Sequence, residues 1–476
     1  KKIIFSKKYF IDKFYDENSI RYHYFEWLYA AKKTGGSDII SLTKQHIINW
    51  YDQKYTLTSF VWDKNFIAKR LINLIYNFDY YAVSATKQEK KKFNVIILKH
   101  YFILKLQMQL DKNNCSIEIT KALFLFHLIY KLDTGEIIKL INKQLDNHIN
   151  KNGMHNSMNP CLHTEFINHL YEIKNMCLFF KVAPPEKIEY QIINMSSVLK
   201  NLFHKDGRIA LFNGSNNANL VSINKINKLI NDVKPKNLVK INNGLAIYEN
   251  NELKVFFDAI KPNNKLLSQN LHAGTLGFEM SSDKEKIITN CGAIEKRVGK
   301  KPEFLRFSAA HSTIILNNTN ISELVEKKSY KRIPKMISLN NEEDEDIVSW
   351  KATHDGYMDN FNRIIKRKLT ISKKHPTISG EDTILCHKSN SKKVLYNIRF
   401  HLTPICSSML TNNKKSVIIK TKLNQSWIFS STNKLKLEES ICINDGKIAE
   451  RIKQIVISGY ATLPKKIEKW SFTKIK

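Results

Sequence analysis

Along the first half of the chain, apolar residues recur at every third or fourth position. The spacing is plain in FIAKRLINLIYNF (66–78), NVIILKHYFILKLQMQL (94–110) and KALFLFHLIYKL (121–132). It continues in EIIKLINKQLDNHI (136–149), TEFINHLYEIKNMCLFF (164–180), KIEYQIINMSSVLKNLF (187–203) and INKINKLI (223–230). A period near 3.6 predicts amphipathic helices. Their links are short and no strand pattern interrupts them, so this half reads as a helical array without α/β alternation. No strict repeat length is visible.

Near Lys234-Pro235-Lys236 the period changes to short β-branched runs separated by turns. LAIYENNELKVFFDA (245–259) reads as a hairpin with Asn250-Asn251 at its tip. IITNCG (287–292), HSTIIL (311–316), SVIIKTKL (416–423), SWIFSS (426–431), ESICI (439–443) and QIVISGYA (454–461) read as further strands. Crossover helices are missing from the pattern, which predicts an antiparallel sandwich. The expected fold is therefore a two-domain α and β protein, helical over 1–234 and β over 235–476.

Composition fits folded domains, with 42% apolar and 25% charged residues and few Gly or Pro. The longest apolar run, Ala122 to Tyr130, is too short for a membrane helix and contains His127. Lys+Arg of 76 against Asp+Glu of 44 leaves a formal charge of +32, enough to attract polyanions at long range. Nucleic acid, anionic polysaccharide and membrane surface are all compatible with that charge. No helix-turn-helix, zinc-finger or ribonucleoprotein signature accompanies it, so nucleic acid rests on charge alone. Basic clusters stand at KQEKKK (87–92), IIKRKL (364–369) and PKKIEKWSFTKIK (464–476). The seven cysteines form no CxxC pair, which argues against a disulfide scaffold or a cysteine-rich zinc site. The opening KKIIFSKKYFIDKF has no apolar core of signal-peptide length.

Three constellations could carry chemistry. In GMHNSMNPCLHTEF (153–166), Asn159 and Pro160 read as an N-cap and first helical residue, which sets His155, Asn156 and Ser157 at the electropositive helix start. Donors there can meet a carboxylate, while His163 reads as structural. In LHAGTLGFEM (271–280) and RFSAAHSTIIL (306–316), His272 and His311 bracket a strand hairpin. Small residues leave the His272 imidazole accessible as a proton carrier near neutral pH. The polar residues of HDGY (354–357), SGED (379–382), RFHLTP (399–404) and LEES (437–440) read as turn and strand-pairing devices.

The succession HAGTLGFE, ITNCG, AAHSTIILNNTN, HDGY, SGED, RFHLTP, SWIF, LEES, QIVISG and KWSF resembles the C-terminal domain of heparinase II/III family proteins. VWDKNFIAKRLINLI, GMHNSMNPCLHTEFINHLYEI and DGRIALFNGS resemble the helical domain of the bacterial, alphaproteobacterial-type members. The similarity spans roughly residues 22–476. It implies an (α/α) toroid of helical hairpins followed by an antiparallel β-sandwich. It also implies a polysaccharide lyase acting on an acidic, uronate-containing glycan held between toroid and sandwich, with a catalytically impaired glycan binder as the alternative.

Such elimination needs a donor set that neutralises the uronate carboxylate, a base for the C5 proton and an acid for the departing oxygen at C4. Matched by motif, His155 and Asn156 would neutralise the carboxylate, His272 would move the proton, and Arg306, His311 and Asn213 would bind substrate. Many members read His-Ala-His-Ala-Asp where this chain reads Asn270-Leu271-His272-Ala273-Gly274. A catalytic tyrosine is expected near GRIALFNGSNNA (207–218), where Phe212 and Asn213 stand instead. No cofactor is required; the resemblance leaves room for a structural divalent metal, as in some members, though its ligands look incomplete. The oligomeric state is open. Localisation is periplasmic by the resemblance, or cytoplasmic by the missing signal segment.

Overall fold

The computed structural model describes residues 20–111, 115–218, 220–235, 244–262, 272–294, 303–324, 330–387, 392–446, 448–462 and 464–475. The opening segment read for a signal peptide, and Asn270 and Leu271, lie outside them. The chain forms two compact units, one of residues 1–148 and 169–192, the other of 149–168 and 193–476. The segments 149–168 and 193–234, grouped by sequence pattern with the helices, thus belong to the compact unit of the strands.

The first unit is helical, and its helices begin where side chains satisfy the free N–H groups of the first turn. Asp63 accepts from the Asn65 N–H to open Lys64–Tyr76, and Ser116 accepts from the Ile119 N–H to open Ile117–Ile129. Thr86 and Glu89 form a reciprocal capping box at the head of Lys87–Leu110. KQEKKK is therefore the first turn of a long helix. The core gathers around Trp50, Trp62 and the fully buried Arg70, whose guanidinium carbon lies 4.0 Å from the Trp50 ring centroid. Its N–H groups go to His100 Nε2 at 2.6 Å and to the His23 and Val61 carbonyls at 2.8 and 2.9 Å.

The second unit contains two large antiparallel sheets and a small pair, β6 (Glu323–Leu324) with β7 (Tyr330–Arg332). One runs β1 (Leu245–Glu249), β2 (Leu253–Asp258), β3 (Phe278–Ser282), β4 (Glu285–Thr289), β12 (Val394–Leu402), β17 (Glu450–Ala461) and β16 (Leu435–Cys442), with β5 (Ile314–Leu316) also paired to β12. The other runs β13 (Ser407–Leu410), β14 (Ser416–Lys420), β15 (Ser426–Ser431), β18 (Lys465–Lys474), β11 (Thr377–Cys386), β10 (Arg363–Ser372), β9 (Ile347–Tyr357) and β8 (Ile337–Glu343). At the β1–β2 turn, Asn250 Oδ1 accepts from the N–H groups of Glu252 and Leu253, which makes this asparagine the hinge of the expected hairpin.

Alternation along β10 turns Ile365, Leu369 and Ile371 inward, and β11 answers with Ile378 and Ile384. The facing sheet contributes Phe278 and Phe400 to the same core. The Phe278 and Trp470 rings stack at 5.5 Å across the two sheets, so the layers share one apolar interior and form a sandwich. Gly380 is required beneath that stack, because a Cβ there would lie 2.1 Å from Trp470. The same face carries a buried charge pair. Arg367 Nε and Nη2 meet Asp382 Oδ1 and Oδ2 at 2.6 and 2.8 Å, and Trp470 Nε1 donates to Asp382 Oδ2 at 2.9 Å. IIKRKL is therefore not a surface basic cluster throughout: Lys366 is exposed but Arg367 is wholly inside.

Candidate active site

The helix Pro160–Phe180 starts as its sequence requires. Asn159 Oδ1 accepts from the Leu162 N–H at 3.0 Å, and Pro160 occupies a first-turn position where a missing N–H costs nothing. Ahead of it, His155 is buried and Asn156 half-buried. The Ser157 N–H points to His155 Nδ1 at 3.2 Å, so Nδ1 accepts and the ring proton belongs on Nε2, a donor. Ser157 Oγ lies 2.7 Å from the same nitrogen and accepts from the Asn159 N–H at 3.1 Å. His163 is structural: Nδ1 accepts from the His155 N–H at 3.1 Å and Nε2 donates to the Met195 carbonyl at 2.9 Å. Burial pushes its imidazole down to about 4.

Asn213 fastens this loop. Its side chain donates to the Met158 carbonyl at 3.2 Å, and its own carbonyl accepts from Asn159 Nδ2 at 2.8 Å. Asn213 sits at φ 50°, a left-handed conformation that asparagine tolerates better than most residues. The carboxamide assigned to substrate is thus engaged within the protein.

His272, His311 and Arg306 gather around Ala273-Gly274. His272 is buried, contrary to the accessibility expected from its small neighbours, and its ring packs edge to face with that of His311 at 5.3 Å. The Ala273 N–H donates to the Arg306 carbonyl at 2.9 Å, and Ser308 Oγ donates to the Ala273 carbonyl at 2.7 Å. Gly274 leaves room for the lower ring, since a Cβ would come within 2.8 Å of His311 Cγ and Nδ1. His311 Nδ1 stands 3.1 Å from Asn290 Oδ1, which places its proton on Nδ1 and a lone pair on Nε2. Among the described residues neither His311 Nε2 nor Asn290 Nδ2 has a partner, and both are buried. Burial holds the His311 imidazole down to about 4, so it is neutral at physiological pH.

Glu279, which the sequence reading did not single out, links the two groups. Its Oε2 accepts from His204 Nε2 at 2.9 Å and from the Leu211 N–H at 3.1 Å, with Lys286 Nζ 2.8 Å away. Its Oε1 accepts from the Asn290 N–H at 2.8 Å and from Thr289 Oγ1 at 3.3 Å. Burial works to raise this carboxyl, but Lys286 and the His204 bond outweigh it and bring it down to about 2. One carboxylate therefore anchors both the segment leading to Asn213 and the strand end that orients His311.

Among the described residues the ligand set for a divalent metal is incomplete. The donors that converge are two imidazoles and a neutral carboxamide, and among the described residues no three His, Cys, Asp or Glu side chains are grouped to hold one. Nor does a phenol join the site through HDGY, because Tyr357 OH donates to the Thr319 carbonyl at 2.9 Å inside the sandwich.

Five buried histidines of this unit predict acid lability. Burial holds His163, His204 and His311 down to about 4, and His354 and His401 down to about 3, from an ordinary 6.5. The unfolded chain thus binds more protons once pH drops below 6.5, and stability falls as pH falls toward those folded values. Glu279, lowered from 4.5, continues the loss below that value. Asp258 opposes it by one proton, since burial raises its carboxyl to about 7 and the folded state keeps that proton at lower pH. The urea unfolding midpoint should decline steadily from about pH 7 to about pH 5, with uptake of several protons. A flat profile over that range contradicts the assignment.

The architecture is an N-terminal helical (α/α) toroid region followed in the chain by a C-terminal antiparallel β-sandwich, with the imidazole cluster in the unit of the sandwich. Residues 241–471 match the family model described as Heparinase II/III-like, C-terminal. That match, just under half of the chain, makes residues 241–471 a heparinase II/III-like C-terminal domain. Similar solved structures include Heparinase III, at 13% identity and TM-score 0.74 over 96% of this chain and 78% of that one. Heparan sulfate lyase HepC from Pedobacter heparinus matches at 13% identity and TM-score 0.66, over 95% and 76% of the two chains. A Heparinase III described as the BT4657 gene product matches at 13% and TM-score 0.70, over 97% and 80%. No match is found among curated proteins.

Proposed function

We propose that this protein is a polysaccharide lyase that cleaves an acidic, uronate-containing glycan by β-elimination. His155 Nε2 and the Asn156 amide neutralise the uronate carboxylate, which makes the C5 proton acidic enough to leave. His272 takes that proton as the C4–oxygen bond breaks and a C4–C5 double bond forms, then returns it to the departing oxygen on the same face. Arg306, tied through its carbonyl to Ala273, adds charge for substrate capture. The observation that carries the reading is the His272–His311 pair, set in the domain that the family model covers and oriented from below by Asn290. The resemblance to structures named for heparinase III and heparan sulfate lyase points to glycosaminoglycans as the first substrates to try. Purified protein incubated with heparan sulfate, heparin and other uronate glycans should raise the ultraviolet absorbance of an unsaturated uronate. If no acidic glycan yields that product, the enzymatic reading is lost.

A second reading has a specific observation behind it. Phe212 and Asn213 occupy the segment where a catalytic tyrosine is expected; Phe212 is buried and Asn213 is bonded to the Met158 carbonyl. A glycan-binding protein without turnover would show saturable binding and no unsaturated product.

A further inference from the structure

The helix Lys87–Leu110 buries Phe93, Ile96, Ile97, Tyr101 and Leu104 on its inner side, and its outer side carries large apolar side chains among polar ones. Among its exposed positions are Lys91, Val95, Phe102, Lys105, Leu106 and Leu110. The four apolar members are 45%, 60%, 56% and 79% exposed in chain order, and both lysines are exposed. Residues 90–110 contain no Asp or Glu. The carboxylates that flank this stretch are already engaged: Glu89 closes the cap on Thr86 and lies 3.4 Å from Lys44, while Asp111 lies 2.7 Å from Lys64. The stretch from Phe102 to Leu110, about two turns long, is therefore both apolar and cationic, with no counter-charge of its own.

We infer that this face docks on an anionic membrane surface, with Phe102, Leu106 and Leu110 entering the headgroup layer and Lys91 and Lys105 meeting lipid phosphates. Charge complementarity selects this occupant. A second copy of the same face would set lysine against lysine, and a polyanionic glycan would engage the lysines while leaving large apolar side chains in water. A lipid surface with anionic headgroups satisfies both kinds of group at once. The helix lies on that surface and does not span it, since no described helix is long and apolar enough to cross a membrane. The inference is independent of the lyase reading.

The test is sedimentation of the full chain with vesicles of phosphatidylcholine alone and of phosphatidylcholine mixed with phosphatidylglycerol. Because a charge of +32 gives some adsorption to any anionic surface, the decisive variant changes no charge. Phe102→Ser combined with Leu106→Ser should weaken binding to the anionic vesicles by roughly tenfold or more. Met409→Ser, which removes a 63% exposed apolar side chain from β13, should leave it unchanged. Leu110→Ser at the helix end serves if the double variant fails to fold. Equal binding to the two vesicle types, no binding to either, or serine variants that bind like the parent would each overturn the inference. So would binding that a soluble glycan removes in parent and serine variants alike.

Discussion

Asp382→Ala is expected to destabilise the sandwich by about 3–5 kcal/mol, because it strands a guanidinium in an apolar interior. Arg367 and Asp382 are both wholly inaccessible, and their two parallel contacts of 2.6 and 2.8 Å make a bidentate pair. Arg367 also donates through Nη1 to the Leu276 and Ser312 carbonyls at 2.8 Å each, which ties β10 to two segments near the candidate site. The same substitution removes the acceptor of the Trp470 indole N–H. The large cost arises from the unpaired charge more than from the lost attraction. Replacing both partners, as in Arg367→Met with Asp382→Leu, should therefore recover much of the stability that the single change removes. Urea unfolding followed by tryptophan fluorescence measures both effects. A single variant less than about 1 kcal/mol below the parent would mean that the pair is hydrated and its burial overstated.

The residues whose roles were legible in the sequence are those governed by local rules. Asn159-Pro160 announces a helix start because capping involves neighbours only three positions away, and Asn250 announces a hairpin for the same reason. The change of hydrophobic period locates the β region, since burial of one face imposes a period whatever the topology. Glu279 and Arg367 were hidden for the opposite reason. A charged residue inside a strand ordinarily faces water, and each of these is stabilised by partners far along the chain: Glu279 by His204 and Lys286, Arg367 by Asp382. Only the alternation in IIKRKL hinted at it, by placing Arg367 in phase with Ile365 and Leu369. Compact units likewise escape a linear cut, because the segment 149–168 joins the later segments through long-range bonds such as Asn159 to Asn213.

If the proposed elimination is correct, His272→Ala should lower turnover by about 10²–10⁴-fold with little change in KM, since a proton carrier acts in the transition state more than in binding. His155→Ala should behave differently. It removes a donor to a carboxylate already charged in the ground state, so KM should rise along with the fall in turnover. The sharper test leaves both histidines in place. Gly274→Ala adds a methyl group within 2.8 Å of the His311 ring, and that ring supports His272 edge to face at 5.3 Å. Displacing the lower ring should tilt the upper one, and misplacement by about 1 Å is enough to cost roughly 10²-fold in turnover. The variant loses no ionisable group, so glycan affinity should persist. Full activity in Gly274→Ala would show that His311 does not position His272; full activity in His272→Ala would remove the proton carrier from the mechanism altogether.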